Sequence, residues 1–217
     1  MTIETVEPIT KTRGILYDWF SKVVLLEPNQ ENFAPFVNED VLAELKELLQ
    51  SKEYGETLIQ SMMRWKVDPA YQEELIIEFN DLFKVPGGKY LFPYESCYRE
   101  KNIDDSIGQV YGCSTVEVKH IYKSLNINMN EKEIPDHLGL ELLLMGNLCL
   151  LEYLYLENHN EELANKYHEW QKGFLYDHLL HWGFEILRKM NTISQTDFYQ
   201  SISLFMIDFI REEQKMI

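Results

Sequence analysis

The chain has 217 residues, 45% of them hydrophobic, and a formal net charge of -16 at neutral pH. Its length suits one large domain, or two small ones sharing a core, with no need of a disulfide or metal staple; its hydrophobic share argues against disorder, and its charge repels phosphate backbones, which makes nucleic acid a poor partner. Cys97, Cys113 and Cys149 are widely spaced and form no CxxC pair, so a disulfide framework and a Cys-rich zinc site are not expected.

Met1 to Pro8 is acidic and lacks a basic apolar leader, so no secretory signal is expected. Ile15, Leu16, Trp19, Phe20, Val23 and Val24 recur at helical spacing and predict one apolar stripe, ended by Pro28. Val41, Leu42, Leu45, Leu48 and Leu49 predict a second helix, and Leu58, Ile59, Met62, Met63 and Trp65 a third. Asp68-Pro69 is a helix start, because Asp caps and Pro fits the first helical position. That helix carries Tyr71, Leu75, Ile76, Phe79, Leu82 and Phe83 and is expected to end near Lys84, before Pro86, Gly87 and Gly88.

Lys84 to Glu95 reads as a loop, and residues 96–112 leave short helices open. Ser114-Thr115-Val116-Glu117 matches a capping box opening a helix with Val118, Ile121, Tyr122 and Leu125. Asn126 to Ile134 is a polar connector. Pro135-Asp136 then starts the most hydrophobic helix, with Asp136 expected to cap it. Leu138 to Leu156 contains Glu141, Asn147 and Glu152, which favours a buried central helix over a membrane span. Gly139 and Gly146 are seven residues apart, a spacing that lets another helix approach. Asn160 is the next expected cap, Gly173 a kink or division, and Phe198, Ile202, Phe205, Met206 and Phe209 mark the last helix. No strand pattern competes. The expected fold is all-α, a compact globule of many short helices, in a single domain over residues 1–217 with a possible hinge at 126–134. Such a hinge predicts a monomer as the main form, with some dimer exchanging helices.

Enzyme chemistry finds little support. Gly87-Gly88-Lys89-Tyr90 lacks the Ser or Thr and the upstream glycine of a phosphate loop. Glu117 and His120 form a lone Glu-x-x-His, where a di-iron site needs two. His178 and His181 sit three apart without an HExxH partner, and read better as packing or surface histidines than as ligands. No metal and no cofactor are expected.

Two segments break the helical pattern: Phe79-Asn80-Asp81-Leu82-Phe83, followed by a Pro/Gly loop and Phe92-Pro93-Tyr94-Glu95-Ser96-Cys97-Tyr98; and Glu133-Ile134-Pro135-Asp136-His137-Leu138. They resemble the two signature segments of the TorD family of molybdoenzyme maturation chaperones, the TorD, DmsD and NarJ type. Tyr17 to Pro28 and Phe174-Leu175-Tyr176-Asp177-His178-Leu179 with Trp182 extend the resemblance along most of the chain. Phe92 departs from it, since many members have a second proline there.

The resemblance implies a cytoplasmic chaperone and no enzyme. Its client would be the precursor of a molybdopterin oxidoreductase catalytic subunit, held by its twin-arginine leader, its apo form or both, for cofactor insertion and proofreading before export. The client-binding residues it implies are Leu82, Phe83, Pro93, Tyr94, Ser96, Tyr98, Pro135, Asp136 and His137. The acidic chain independently suits a basic leader peptide. A helical adaptor with an unrelated client, or a small-molecule or nucleotide-binding enzyme using Asp136 and His137, are the alternatives.

Overall fold

A computed structural model of the chain describes residues 3–130 and 132–217. Met1 and Thr2 of the acidic N-terminal stretch, and Glu131 of the connector, lie outside the described residues. The fold is all-α. In chain order the helices are α1 (Ile3–Leu25), α2 (Gln30–Phe33), α3 (Glu39–Leu49), α4 (Gly55–Val67), α5 (Pro69–Phe79), α6 (Glu95–Arg99), α7 (Cys113–Ser124), α8 (Leu138–Glu157), α9 (Glu161–Phe174), α10 (Leu180–Ile193) and α11 (Asp197–Met216). Two π-helical turns, Asn80–Lys84 and Leu175–Leu179, follow α5 and α9. Gly173 thus stands just before the division between α9 and α10.

The chain forms two compact units. One comprises Met1–Lys22, Pro93–Gly183 and Glu213–Ile217; the other comprises Val23–Phe92 and Phe184–Glu212.

In the first unit α8 is the central helix. It is long and apolar enough to cross a membrane, yet most of that stretch is buried inside the protein, which accounts for its hydrophobicity without a bilayer. Gly146 lets α1 approach: a Cβ there would stand 3.2 Å from the Asp18 amide nitrogen and from the Gly14 carbonyl oxygen. The buried face of α1 differs from the expected stripe. Ile15 is 53% exposed, while Arg13 and Tyr17 are buried. Arg13 turns inward because it has partners there: Nε donates to Glu213 at 2.6 Å, Nη2 to Gln171 at 2.9 Å, and Glu152 lies 3.8 Å away. Removing either side of such a buried network would strand a charge. All three cysteines are free.

The expected capping box at Ser114 does not form. Ser114 lies inside α7, and the cap comes from Glu100, whose carboxylate accepts from the Cys113 and Ser114 amides at 2.8 Å each and from the Ser114 hydroxyl at 2.9 Å. Gly112 makes room for it, since a Cβ there would fall 2.2 Å from the Glu100 carboxylate. A negative group at a helix N-terminus satisfies orphan donors and meets the helix dipole. Burial opposes ionisation of Glu100, but the Ser114 and Cys113 bonds prevail and hold it below the usual carboxylate range. Asn160 caps α9 as expected, accepting from Leu163.

In the second unit, Asp68 caps α5 through the Ala70 and Tyr71 amides, with Pro69 at the first helical position. Trp65, Phe33 and Phe198 pack as an aromatic cluster, with Phe33 4.9 Å from Trp65 and 5.1 Å from Phe198 between ring centres. The expected apolar faces of α5 and α11 are buried at Tyr71, Leu75, Phe79, Phe198, Ile202 and Phe205. Met63 and Leu48, expected on apolar stripes, are 54% and 49% exposed. Glu78 caps α11 from outside it, accepting from the amides of Gln195 and Thr196. Gly87 to Tyr90 is a turn, closed by the Tyr90 amide on the Gly87 carbonyl at 3.2 Å.

Candidate functional site

The two signature segments meet, within the first unit, in a short antiparallel bridge between Tyr94 and His137. Pro93 has no amide to offer but exposes its carbonyl, which accepts from the Leu138 amide at 2.9 Å. The Glu95 amide returns a bond to the Asp136 carbonyl at 2.9 Å.

Asp136 does not cap its own helix. Its Oδ2 accepts from the Ser96 amide at 2.9 Å, so it caps α6, forty residues earlier in the chain. The cap of α8 is His137, whose Nδ1 accepts from the Gly139 amide at 3.1 Å. An accepting Nδ1 carries no proton. The His137 ring meets Tyr94 edge-on, 5.2 Å between centres. Pro-Asp-His thus ties two helix starts together with consecutive side chains.

Behind this bridge lies a buried polar cluster. Glu95, Asp136 and Glu141 are each 0% exposed. Glu95 pairs with His178 Nδ1 at 2.9 Å and accepts from Arg99 Nη1 at 2.6 Å. Arg99 also donates to the Asp177 carbonyl at 3.1 Å. The Trp182 indole donates to Glu141 Oε2 at 3.0 Å, and Tyr98 packs on the Trp182 ring, 5.5 Å between centres. Asp136 Oδ1 and Glu141 Oε1 meet no donor among the described residues.

The charges separate accordingly. Burial, and then the neighbouring Glu95 charge, push Glu141 well above the carboxylate range. Burial also works against Glu95, but His178 and Arg99 overcome it and hold Glu95 below its ordinary value. Cys97 beside them is pushed up to about 11 by burial and by the nearby Asp136 and Glu100 carboxylates. It is therefore a poor nucleophile.

Of the nine residues expected to bind a client, seven belong to this unit. Pro93, Ser96, Tyr98, Pro135, Asp136 and His137 are buried, and Tyr94 is half-exposed. Leu82 and Phe83 belong to the other unit and are core there, at 0% and 3% exposure. The Leu82 carbonyl accepts from Leu91 at 2.9 Å, and Phe83 packs against Phe79 and Tyr199. Phe92 adopts a positive φ of 51°, which proline's ring forbids. The second proline common in the TorD family therefore has no place in this loop shape.

Sequence reasoning missed Arg99 and the joint role of Glu95, Glu141, His178 and Trp182. Glu141 carried a signal, an acid inside the most apolar helix, where a charge needs a partner. His178 is buried against Glu95 while His181 is exposed, so the two histidines do not act as one pair. Glu117 and His120 both lie on the exposed face of α7. Among the described residues no three His, Cys, Asp or Glu side chains converge as a metal shell.

Comparison with known proteins adds an independent line. The model of the family described as nitrate reductase delta subunit matches residues 37–188. The chain is 25% identical to the chaperone protein TorD of Vibrio parahaemolyticus, over 96% of each chain. It is 32% identical to the chlorate reductase assembly chaperone protein of Ideonella dechloratans, over 54% of this chain and 58% of that one. It is 23% identical to the probable Tat proofreading chaperone DmsD of Haemophilus influenzae, over 68% of this chain and 64% of that one.

Proposed function

The chain belongs to the nitrate reductase delta subunit family, which takes in the TorD and NarJ types, and from that premise we infer that it is a molybdoenzyme maturation chaperone. The observation that carries this is full-length similarity to proteins named as chaperones, with the two signature segments joined at one bridge. Its client is the precursor of a redox enzyme. The finer reading is that it works in the cytoplasm without catalysing a reaction, and binds the twin-arginine leader, the apo subunit or both until cofactor insertion is complete.

The net charge of -16 supports a basic leader as partner. Client contact would centre on the Tyr94–His137 bridge, with Pro93, Ser96, Tyr98, Pro135 and Asp136 shaping it and Leu82 and Phe83 ordering the loop that leads into it. The working form would be a monomer, with the connector 126–134 as the hinge of any helix-exchanged dimer. Capture from the native host with mass spectrometry tests this reading. The precursor of a molybdopterin oxidoreductase subunit is expected among the captured proteins. Its absence under conditions where that enzyme is being made would overturn the reading.

A further inference from the structure

A helix that is apolar all round belongs inside a protein or a bilayer, yet one row of α8 is open to solvent. Leu150 and Leu154 are 37% and 48% exposed, Asn147 is exposed and Leu143 is half-buried. Their spacing of four, three and four residues is that of a seam between two paired helices. Ile15 of α1, 53% exposed, adds to this surface. It follows Gly14, where a Cβ would stand 2.8 Å from Leu150 Cγ.

The row carries both halves of a knob-and-hole contact. At its start, Leu140, Leu143, Leu144 and Asn147 line a cavity of about 120 Å³, together with Ile127 and Met129 from the connector. Residues at i, i+3, i+4 and i+7 are the four that receive one side chain from a facing helix. At its other end stands Leu154, an exposed side chain of the kind such a hole takes. Two antiparallel α8 helices, related by a two-fold axis level with Leu148 and Cys149, set Leu154 of each copy in the cavity of the other. The same axis sets Leu150 opposite Asn147. A contact of this type is self-complementary and closed.

The charges agree with that arrangement. α1 runs antiparallel to α8, since Gly14 lies by Leu150 and Asp18 by Gly146. Lys22, paired with Asp18 at 2.6 Å, therefore stands level with the start of the row. Lys11, 5.2 Å from the Tyr153 ring centre, stands level with its end. Glu133 lines the cavity, and Glu157 closes α8. The two-fold axis brings Lys22 of one copy towards Glu157 of the other, and Lys11 towards Glu133. A parallel pair would set each charge beside its own kind, and a basic peptide would meet a lysine at either end of the row.

We propose that this chain pairs with a second copy of itself through the exposed row of α8, antiparallel, with Leu154 of each copy seated in the cavity of the other. The pairing exchanges no helix, so each copy keeps its own fold and dilution returns the monomer. It goes beyond the chaperone reading and does not rest on it. The charge of -16 on each copy opposes association, and physiological salt screens that repulsion.

Sedimentation equilibrium of the full chain at physiological salt, from about 1 to about 500 μM, reads the pairing. The mass should rise from one copy to two and fall again on dilution. Leu154→Glu changes an exposed side chain, so monomer unfolding should be unaltered while pairing weakens at least about tenfold. Asn147→Leu should tighten pairing about tenfold, because it meets Leu150 across the axis. Glu157→Lys alone should weaken pairing, and Lys22→Glu added to the same chain should restore it. A wild type that stays a single copy across the range would overturn the proposal. So would a dimer indifferent to Leu154→Glu, which is the behaviour of a helix-exchanged form. A monomeric wild type that binds a twin-arginine peptide, with binding lost in Leu154→Glu, would also overturn it and assign the row to the client.

Discussion

Replacing Asp136 separates its capping role from its charge. Its Oδ2 is the acceptor for the Ser96 amide at 2.9 Å in a site with 0% exposure. Asp136→Ala leaves that N–H buried with no acceptor, a loss of about 1–3 kcal/mol. Losing an N-cap acceptor costs about 0.5–2 kcal/mol in general, and the two figures describe the same bond, so they do not add. Against this stands some relief, because Oδ1 meets no donor among the described residues and Glu141 is nearby. The expected net loss is about 2 kcal/mol, which lowers Tm by roughly 4–8 °C in a chain of this size. Asp136→Asn keeps an acceptor for Ser96 and is expected to lose under about 1 kcal/mol. Urea unfolding at neutral pH, with the m-value checked for constancy, measures both. If Asn costs as much as Ala, charge and not capping is the contribution of Asp136. If Ala is neutral, the tie between α6 and the Pro-Asp-His segment contributes no stability.

Glu100→Gln should remove part of the acid limb of the stability curve: Glu100 titrates below its ordinary value in the fold, so its contribution is full above the unfolded value near about 4.3 and is lost as pH falls through the folded one. An acid limb identical to wild type in urea titrations would contradict that cap. Phe92→Pro should destabilise by more than about 2 kcal/mol, because the ring cannot reach a φ of 51°; a neutral result in thermal unfolding would show that the loop re-forms freely. Association with a twin-arginine peptide should slow at least about tenfold between low and roughly 0.5 M salt, measured by stopped flow, whereas a constant rate would leave the charge of -16 as a solubility feature.

Features set by neighbours in sequence were legible. Asp68-Pro69 and Asn160 read as helix starts because their acceptors serve amides two or three residues away. The apolar faces of α5 and α11 were legible because spacing alone defines them. What failed depended on distant partners. The Ser114 capping box lost to Glu100, fourteen residues earlier. Asp136 serves α6 and leaves its own helix to His137. Ile15 yielded the inner face of α1 to Arg13 and Tyr17, since Glu213 and Gln171 await Arg13 inside. The signature residues were found by resemblance, but their burial, and the pairing of Glu95 with His178 across 83 positions, needed the tertiary structure.

The central claim is that this chain prepares a molybdoenzyme precursor, and the molybdenum content of the captured subunit tests it. The subunit would be purified from host cells that make the chain and from cells that lack it, and molybdenum per polypeptide measured in each. A largely metal-poor subunit is expected in the absence of the chain, with content restored when the chain is supplied again. Full molybdenum occupancy without the chain would contradict it.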